Sequence, residues 1–209
     1  MNIDRLARAY RWIEYAAFGR ALERARFAFL DRLAESRRVL MPGEGDGRAL
    51  ARLLALAPHV QVDVLESSGE MIALARRRVE NSNRVRFRNE NALTASLPGN
   101  AYDGVTTLFF LDCFSESETE ALIERIDCAM TAGGLWLVSE FSIPDKGWRR
   151  WHAKVWLCSM YRFFRATTGL RNRSLPPIER LLVSHGFERL ERIDHRAGLI
   201  RSEVWRKPG

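Results

Sequence analysis

Three glycines at alternate positions are the residues of this chain whose spacing most clearly suggests chemistry. Residues 39–47 read VLMPGEGDG, so Gly43, Gly45 and Gly47 directly follow a short apolar run. Glycine lets a main chain turn tightly and approach a ligand closely. A strand that enters such a turn and then opens a helix is a common way to build a nucleotide site. The alternative is a tight strand-to-helix turn that binds nothing.

The residues that follow the loop narrow the kind of nucleotide site. The spacing is GxGxG, with Arg48 next, and differs from the GxGxxG of dinucleotide-binding loops. A P-loop is excluded because no Gly-Lys-Ser/Thr follows. Glu66 closes the next apolar strand about 20 residues downstream, where an acid can accept hydrogen bonds from both ribose hydroxyls. Met71, at the start of the following helix, can cover a purine face.

Alternating strand and helix patterns must position these residues. Up to Phe141 the order is strand–helix repeated, which predicts a parallel sheet with helices on both faces. Two further strands, 187–195 and 198–207, are too close in sequence for a parallel crossover, so they predict a terminal antiparallel hairpin. The other predicted strands are 38–41, 59–66, 84–89, 101–111 and 135–141. The predicted helices lie within 4–33, 45–56, 69–79, 115–130, 147–168 and 175–185, with a turn at 131–134.

Composition bounds the class of protein. With 209 residues and 46% apolar content, the chain can build one core, and we expect a single domain over residues 1–209. No run of about 18 uncharged apolar residues is present, and the amino-terminal segment lacks the apolar region of a secretory signal. Cys113, Cys128 and Cys158 fit neither a disulfide framework nor a CxxC metal pattern. We therefore expect a cytoplasmic protein with reduced thiols and no metal site.

These features together resemble the class I S-adenosylmethionine-dependent methyltransferases. The matching stretches include VLMPGEGDGR, VDVLESSGEMIALARRR, AMTAGGLWLVSEF and LLVSHGFERLERI, in the order of the family over roughly residues 35–206. The resemblance implies an α/β, Rossmann-like fold: a seven-stranded, mostly parallel sheet that ends in an antiparallel hairpin, with helices on both faces. It also implies a helical lid at 1–34 and a helical acceptor cap at 147–175, inserted after the fifth strand.

The resemblance implies S-adenosylmethionine as the cofactor and assigns its contacts to Gly43, Glu44, Gly45, Gly47, Glu66, Ser67, Met71, Asn91, Ala92 and Leu108. Two positions depart from the family pattern. Met41 stands where an acid often lies before the first glycine, and Glu44 could take over contact with the methionine amino group. Asn91 stands where an acid commonly receives the adenine amino group, and its amide oxygen can still accept that hydrogen bond.

The reaction implied is an in-line displacement at a sulfonium methyl group, so the protein must mainly position the acceptor. A hydroxyl acceptor would also need a base. Asp112, just past the fourth strand, is the leading candidate, although a helix-capping role explains it equally well. His152 is a second candidate, against the alternative of a surface histidine. Glu140 is a weaker one, and capping at a helix end explains His185.

The segment 144–180 contains nine basic and two acidic residues, so it accounts for the net charge of +7. It also holds three of the six tryptophans. A helical cover, an acceptor pocket and a contact with an anionic membrane surface are all compatible with this pattern. The Asn/Asp-Pro-Pro-aromatic and Pro-Cys signatures of base-modifying enzymes are absent, which argues against nucleic acid as the substrate. We expect a small-molecule acceptor, aromatic or lipid-like in part.

Two other functions remain open at this stage. A nicotinamide-dependent oxidoreductase would explain the loop and Glu66, but it predicts GxGxxG spacing and no terminal antiparallel hairpin. A membrane- or nucleic-acid-binding protein could keep this fold without turnover, and Met41 and Asn91 leave that reading open. Nothing in the sequence indicates the oligomeric state.

Overall fold

The structure, a computed structural model, describes residues 19–80, 82–143 and 175–209. Its strands are β1 (Arg38–Pro42), β2 (Gln61–Leu65), β3 (Val85–Arg88), β4 (Tyr102–Leu108), β5 (Met130–Phe141), β6 (Glu188–His195) and β7 (Ile200–Arg206). Its α-helices are α1 (Ala21–Phe27), α2 (Arg48–Leu56), α3 (Gly69–Arg78), α4 (Glu116–Ala129) and α5 (Ile178–Ser184). Short 3-10 helices lie at Leu30–Leu33, Leu111–Cys113 and Arg196–Gly198.

The strands form one seven-stranded sheet in the order β3-β2-β1-β4-β5-β7-β6. Strands β1 to β5 pair in parallel, whereas β7 is antiparallel to both β5 and β6. The predicted fold, including the terminal antiparallel hairpin, is confirmed. Because the carboxyl ends of parallel strands meet at one edge, the loops after β1, β2, β4 and β5 are brought together there.

Helices cover both faces of the sheet, as predicted. On one face α4 and α5 bury Ile123, Ile126 and Leu182 in a core that includes Trp136 and Trp205. On the other face α2 and the Leu30–Leu33 turn pack their apolar side chains against β1, β2 and β4. Helix α2 fits this role because its buried residues recur at helical spacing along one side. The helix predicted at 115–130 begins as expected, since Ser115 forms a capping box with Glu118.

Two local predictions differ from the structure. Residues 131–134, predicted as a turn, lie within β5, where Gly133 takes a φ of 74° and the pairing with β4 shifts register. This glycine-rich stretch stays in the sheet because Gly133 and Gly134 exchange hydrogen bonds with Lys207, just after β7. A glycine pair can therefore mark an irregular strand as well as a turn.

The amino-terminal helix is the second difference. In the described part of predicted helix 4–33, α1 ends at Phe27 and a separate 3-10 turn follows at Leu30–Leu33. The carbonyl of Ala25 accepts hydrogen bonds from the hydroxyls of Ser139 (2.9 Å) and Ser202 (3.0 Å). The Ala28 N–H also donates to this carbonyl at 3.3 Å, so the last turn tightens and α1 ends with the carbonyl held by the sheet. Residues 1–18 lie outside the described part of the chain.

Candidate cofactor-binding and catalytic site

The glycine loop between β1 and α2 requires glycine at all three positions. Gly43, Gly45 and Gly47 have φ values of 65°, 71° and 83°, in the left-handed region that other residues rarely adopt. Gly43 N–H donates to the carbonyl of Leu65 at 2.8 Å, which ties the loop to β2. A Cβ at Gly47 would lie 2.7 Å from the Cα of Ala75, so this glycine permits α2 and α3 to pack closely.

The loop after β4 closes over the first glycine. A Cβ at Gly43 would overlap the ring of Phe110, so this ring packs directly against the glycine backbone. Phe110 also contacts Phe114 edge to face, with ring centroids 5.0 Å apart. Phe110 is not among the site residues predicted from the sequence. The signal that could have found it is the aromatic run LFFLDCF between the strand and the acid.

Glu66 lies beside the loop, at the carboxyl end of β2. Its buried carboxylate accepts hydrogen bonds from the backbone N–H of Ser68 at 2.9 Å and of Gly45 at 3.2 Å. Burial raises the pKa of Glu66, while these N–H contacts oppose the rise. A Cβ at Gly45 would meet nothing within 4 Å, so open space adjoins this contact. The structure thus brings together the glycine loop and the acid that the sequence singled out.

The residues assigned to the adenine follow β2 and β3 at the same edge of the sheet. Met71 is buried in the first turn of α3, where its N–H donates to the Ser68 hydroxyl at 3.2 Å. Asn91 is exposed, and its side-chain oxygen accepts the Leu93 N–H at 3.0 Å. Ala92 is buried against the core, whereas Ser67 is exposed. The amide oxygen of Asn91 is therefore already used within its own turn.

Glu44 has a structural partner that the sequence did not reveal. Its Oε1 accepts the backbone N–H of Leu50 at 2.8 Å, which satisfies a free donor at the start of α2. Burial raises the pKa of Glu44 to about 7, while this bond and the charge of Arg26 oppose the rise. Met41 and Leu108 are both buried in the core. The predicted contact of Glu44 with a methionine amino group would have to share this carboxylate with α2.

Two buried acids lie at the carboxyl ends of β4 and β5 at this edge. Asp112 lies in the 3-10 turn after β4 and is 6% exposed, and Glu140 is the penultimate residue of β5 and is 4% exposed. Glu140 Oε1 accepts the N–H groups of Leu111 (2.8 Å) and Phe110 (3.0 Å). Burial raises the pKa of Asp112 to about 6. Burial and the charge of Asp112 hold the pKa of Glu140 well above its usual range.

Comparison with known proteins agrees with the fold. Residues 39–134 match a family model described as a methyltransferase domain. The chain therefore resembles the class I S-adenosylmethionine-dependent methyltransferases, as the sequence predicted. It is 34% identical over 112 residues to the demethylmenaquinone methyltransferase of Thermus thermophilus, an alignment that covers 53% of this chain. The alignment spans 50% of that relative, so the chain matches half of its length.

Solved methyltransferase structures share the fold. The N-methyltransferase NodS from Bradyrhizobium japonicum WM9, in complex with S-adenosylhomocysteine, has a TM-score of 0.62 at 16% identity, covering 90% of this chain and 88% of NodS. An O-methyltransferase family protein from Burkholderia thailandensis has a TM-score of 0.70 at 18% identity, covering 97% of this chain and 70% of its own. At these identities the likeness concerns the fold alone.

The site at this edge of the sheet fits S-adenosylmethionine, the cofactor that the sequence predicted. Left-handed glycines leave the loop without side chains where the ligand must approach, and the space at Gly45 is open. The Glu66 carboxylate beside it can accept hydrogen bonds from a pair of ribose hydroxyls, since each of its oxygens has a further lone pair. The donor and acceptor groups of these residues therefore match the ligand's chemistry.

Several features predicted from the sequence lie outside the described residues. They are His152, most of the lid and cap at 1–34 and 147–175, and most of the basic segment 144–180. His185 is described, and its Nδ1 lies 2.9 Å from the Leu181 carbonyl at the end of α5. None of the helices in the described ranges has the length and apolar content that a membrane-spanning helix needs.

Proposed function

We propose that this chain transfers the methyl group of S-adenosylmethionine to a small molecule with an aromatic or lipid-like part. The observation that carries the proposal is the hydrogen bond between the Gly45 N–H and the Glu66 carboxylate. It joins a glycine loop to a ribose-binding acid at the carboxyl edge of a sheet whose last hairpin is antiparallel. That hairpin argues against a nicotinamide-dependent oxidoreductase.

The proposed cofactor contacts follow the strand order. The glycine loop holds the methionine end, Glu66 binds the ribose, and Met71 and Asn91 lie on either side of the adenine. Ser67 and Ala92, which adjoin Glu66 and Asn91 in sequence, contribute through their main chain. Leu108 does likewise, because its side chain is committed to the core.

The acceptor is proposed to be quinone-like. One relative is named for methylation of demethylmenaquinone, and this is the more specific support for the acceptor class. The rings of Phe110 and Phe114 lie near Asp112 in the loop after β4, and such rings favour contact with a flat apolar group. A small-molecule acceptor of this kind combines the aromatic and lipid-like properties expected from the sequence.

The cofactor supplies an electrophilic methyl group bound to a sulfonium. The chain's own residues position the acceptor, exclude water and accept a proton. Asp112 is the proposed proton acceptor, since it is buried at the end of β4 with a pKa of about 6, near the working pH of most enzymes. His152 remains the second candidate from the sequence.

Calorimetric titration with S-adenosylmethionine, S-adenosylhomocysteine and NAD tests the cofactor site. Both sulfur nucleosides should bind and NAD should not. Glu66→Ala should weaken binding about tenfold or more, because a charged hydrogen-bond acceptor is lost. Glu70→Ala is the matched control, since Glu70 is an exposed acid on the adjacent helix. Binding of NAD alone would overturn the proposal.

A second assay tests the acceptor. Radiolabelled methyl transfer would be followed with a reduced demethylmenaquinone analogue, a simple catechol and a lipid amine. Preferential labelling of the quinol analogue is the expected result. Labelling of the amine alone would overturn the quinone-like assignment, and binding of cofactor with no labelled product would favour a non-catalytic role.

A further inference from the structure

Asp112 and Glu140 are the two buried acids at the ends of β4 and β5. Within the described residues, one carboxylate oxygen of this pair has no hydrogen-bond partner. It is Oε2 of Glu140, whose other oxygen is fixed by two backbone N–H groups. A buried, unpaired carboxylate oxygen is unfavourable unless it is protonated or contacts another polar group. This oxygen therefore marks a site where a proton or a ligand belongs.

Asp112 and Glu140 are neighbours because β4 and β5 pair in parallel, with Leu108 opposite Ser139. The two strands end at the same edge of the sheet. There the Glu140 carboxylate accepts the N–H groups of Phe110 and Leu111, in the loop after β4. These two bonds hold the turn in which Asp112 lies. Glu140 thereby fixes the position of Asp112 through the backbone that carries it.

The Glu140 carboxylate lies against the turn that carries Asp112, and two buried carboxyls so placed do not both ionise readily, since each negative charge opposes the other. The Cys113 thiol donates to Asp112 Oδ1 at 3.6 Å, and burial and the acids Asp112, Glu140 and Glu66 keep its pKa well above its usual value. Arg201 is the register partner of Glu140 on β7, but its guanidinium contacts Asp194 and Glu179, each at 3.2 Å. Glu140 Oε2 is the oxygen of the pair that lacks a donor, and burial with the charge of Asp112 raises the pKa of Glu140, so a single proton is favoured there.

We infer that Asp112 and Glu140 hold a single proton between them, with Glu140 as the positioning residue that presents an ionised Asp112 to an acidic hydroxyl of the acceptor. This inference rests on the proposed methyl transfer and narrows its substrate to phenols and quinols, whose O–H groups are acidic enough for a carboxylate base. The acceptor's proton passes to Asp112 as its O–H bond breaks. The acceptor's electron pair forms the new bond to the methyl carbon, and the pair of the broken carbon–sulfur bond remains on the leaving thioether.

Infrared spectroscopy of the ligand-free protein tests the shared proton without any turnover. At pH 7 the wild type should show a protonated-carboxyl band that shifts in D₂O and is missing from Glu140→Gln. In Asp112→Asn the negative charge that opposes ionisation of Glu140 is gone. Glu140 should therefore lose its proton, and the band should disappear, at a pH about one unit or more below that of the wild type. Glu203→Gln is the control, since Glu203 is a buried acid of the same sheet, on β7. It should leave this band in place.

Kinetics test the role of the pair. Asp112→Asn should lower kcat about a hundredfold or more with S-adenosylhomocysteine affinity unchanged. Glu140→Gln can keep both backbone contacts, so Asp112 should stay in place. The plot of kcat/KM against pH should then keep its acidic limb, which Asp112 produces. It should lose its alkaline limb, which Glu140 ionisation produces. Glu203→Gln should keep both limbs.

The outcomes separate this inference from the proposed function. Absence of a band sensitive to Glu140→Gln overturns the shared proton, even if methyl transfer is observed. If Glu140→Gln does not fold, the Asp112→Asn variant decides the question. A band that disappears at the same pH as in the wild type overturns the shared proton equally. Unchanged kcat in Asp112→Asn overturns the role of the pair. Failure to bind S-adenosylmethionine overturns the proposed function and with it the catalytic role, whereas the spectra still decide the proton.

Discussion

The ring of Phe110 occupies the space that a side chain at Gly43 would fill. Gly43 belongs to the loop after β1, and Phe110 to the loop after β4, the strand that pairs with β1. The contact therefore couples the backbone of the glycine loop to the segment that carries Asp112. Any residue other than glycine at position 43 must displace this ring.

Gly43→Ala is expected to weaken S-adenosylhomocysteine binding about tenfold or more, because the new methyl group moves Phe110 and strains the loop. The positive φ, which alanine adopts with strain, adds about 1–2 kcal/mol of destabilisation. Gly133→Ala is the matched control: its φ is also positive, 74°, but its Cβ would meet nothing within 4 Å. Calorimetry and urea unfolding measure the two effects. Equal losses of affinity in both variants would contradict the coupling.

The pH dependence of stability should depend on Glu44. Its folded-state pKa of about 7 lies above its ordinary value of 4.5, so the folded state holds this proton more tightly than the unfolded state. The free energy of unfolding therefore falls as the pH rises from 4.5 to 7, by about 1–3 kcal/mol from this group. Glu44→Gln should flatten that part of the curve, since the amide oxygen can still accept the Leu50 N–H.

Urea unfolding between pH 4.5 and pH 8 measures this difference. Glu124→Gln, at an exposed position of α4, is the control and should follow the wild-type curve. The burial of Glu66 and Glu203 raises their pKa values too, so some decline should remain in the variant. Parallel curves for wild type and Glu44→Gln would show that Glu44 is not the source.

Tyr102→Phe should lower stability without changing cofactor affinity. The Tyr102 hydroxyl donates to Asp63 Oδ2 at 2.7 Å, and Arg38 donates to the same oxygen at 2.7 Å. Tyr102 begins β4, at the end of the strand opposite the proposed site. We expect a loss of about 1.5–3 kcal/mol, as for hydrogen bonds to charged groups. A double-mutant cycle with Asp63→Asn measures the coupling, and additive losses would contradict a direct contact.

Ser202→Ala should loosen the docking of α1. The Ser202 hydroxyl lies 3.0 Å from the Ala25 carbonyl and 3.1 Å from His195 Nε2. We expect a loss of about 1–2 kcal/mol and faster hydrogen exchange in α1, since a buried carbonyl loses one donor. Ser184→Ala is the control, because its hydroxyl donates only within α5, to Leu181. Unchanged exchange in α1 would contradict the anchoring role.

Local patterns were sufficient to predict the architecture. Apolar runs alternate with segments of helical periodicity, and this pattern predicts the parallel strands. The short link between β6 and β7 predicts the hairpin. The end of α1 and the start of β5 could not be predicted in the same way. Both depend on partners distant in sequence: Ala25 on Ser139 and Ser202, and Gly133 on Lys207.

The same distinction applies to the site. The glycines and Glu66 were predictable because strand ends and glycine spacing are local signals that the fold brings to one edge. The capping role of Glu44 required knowledge of where the Leu50 N–H points. Phe110 was not predicted as a site residue, and Glu140 was only a weaker candidate. Their contacts depend on how two loops close over each other, which cannot be predicted from residue spacing in the sequence.

The placement of β7 between β5 and β6 also constrains the order of folding. Strand β6 precedes β7 in the chain, yet within the described sheet its only neighbour is β7. The contact from Ser202 to Ala25 closes a loop of 177 residues. Contacts of such long range form slowly because the chain must lose entropy before they stabilise it. Until β7 inserts, β5 presents an open edge and β6 has no strand to join, so this interval is when a nascent or refolding chain is most exposed to aggregation.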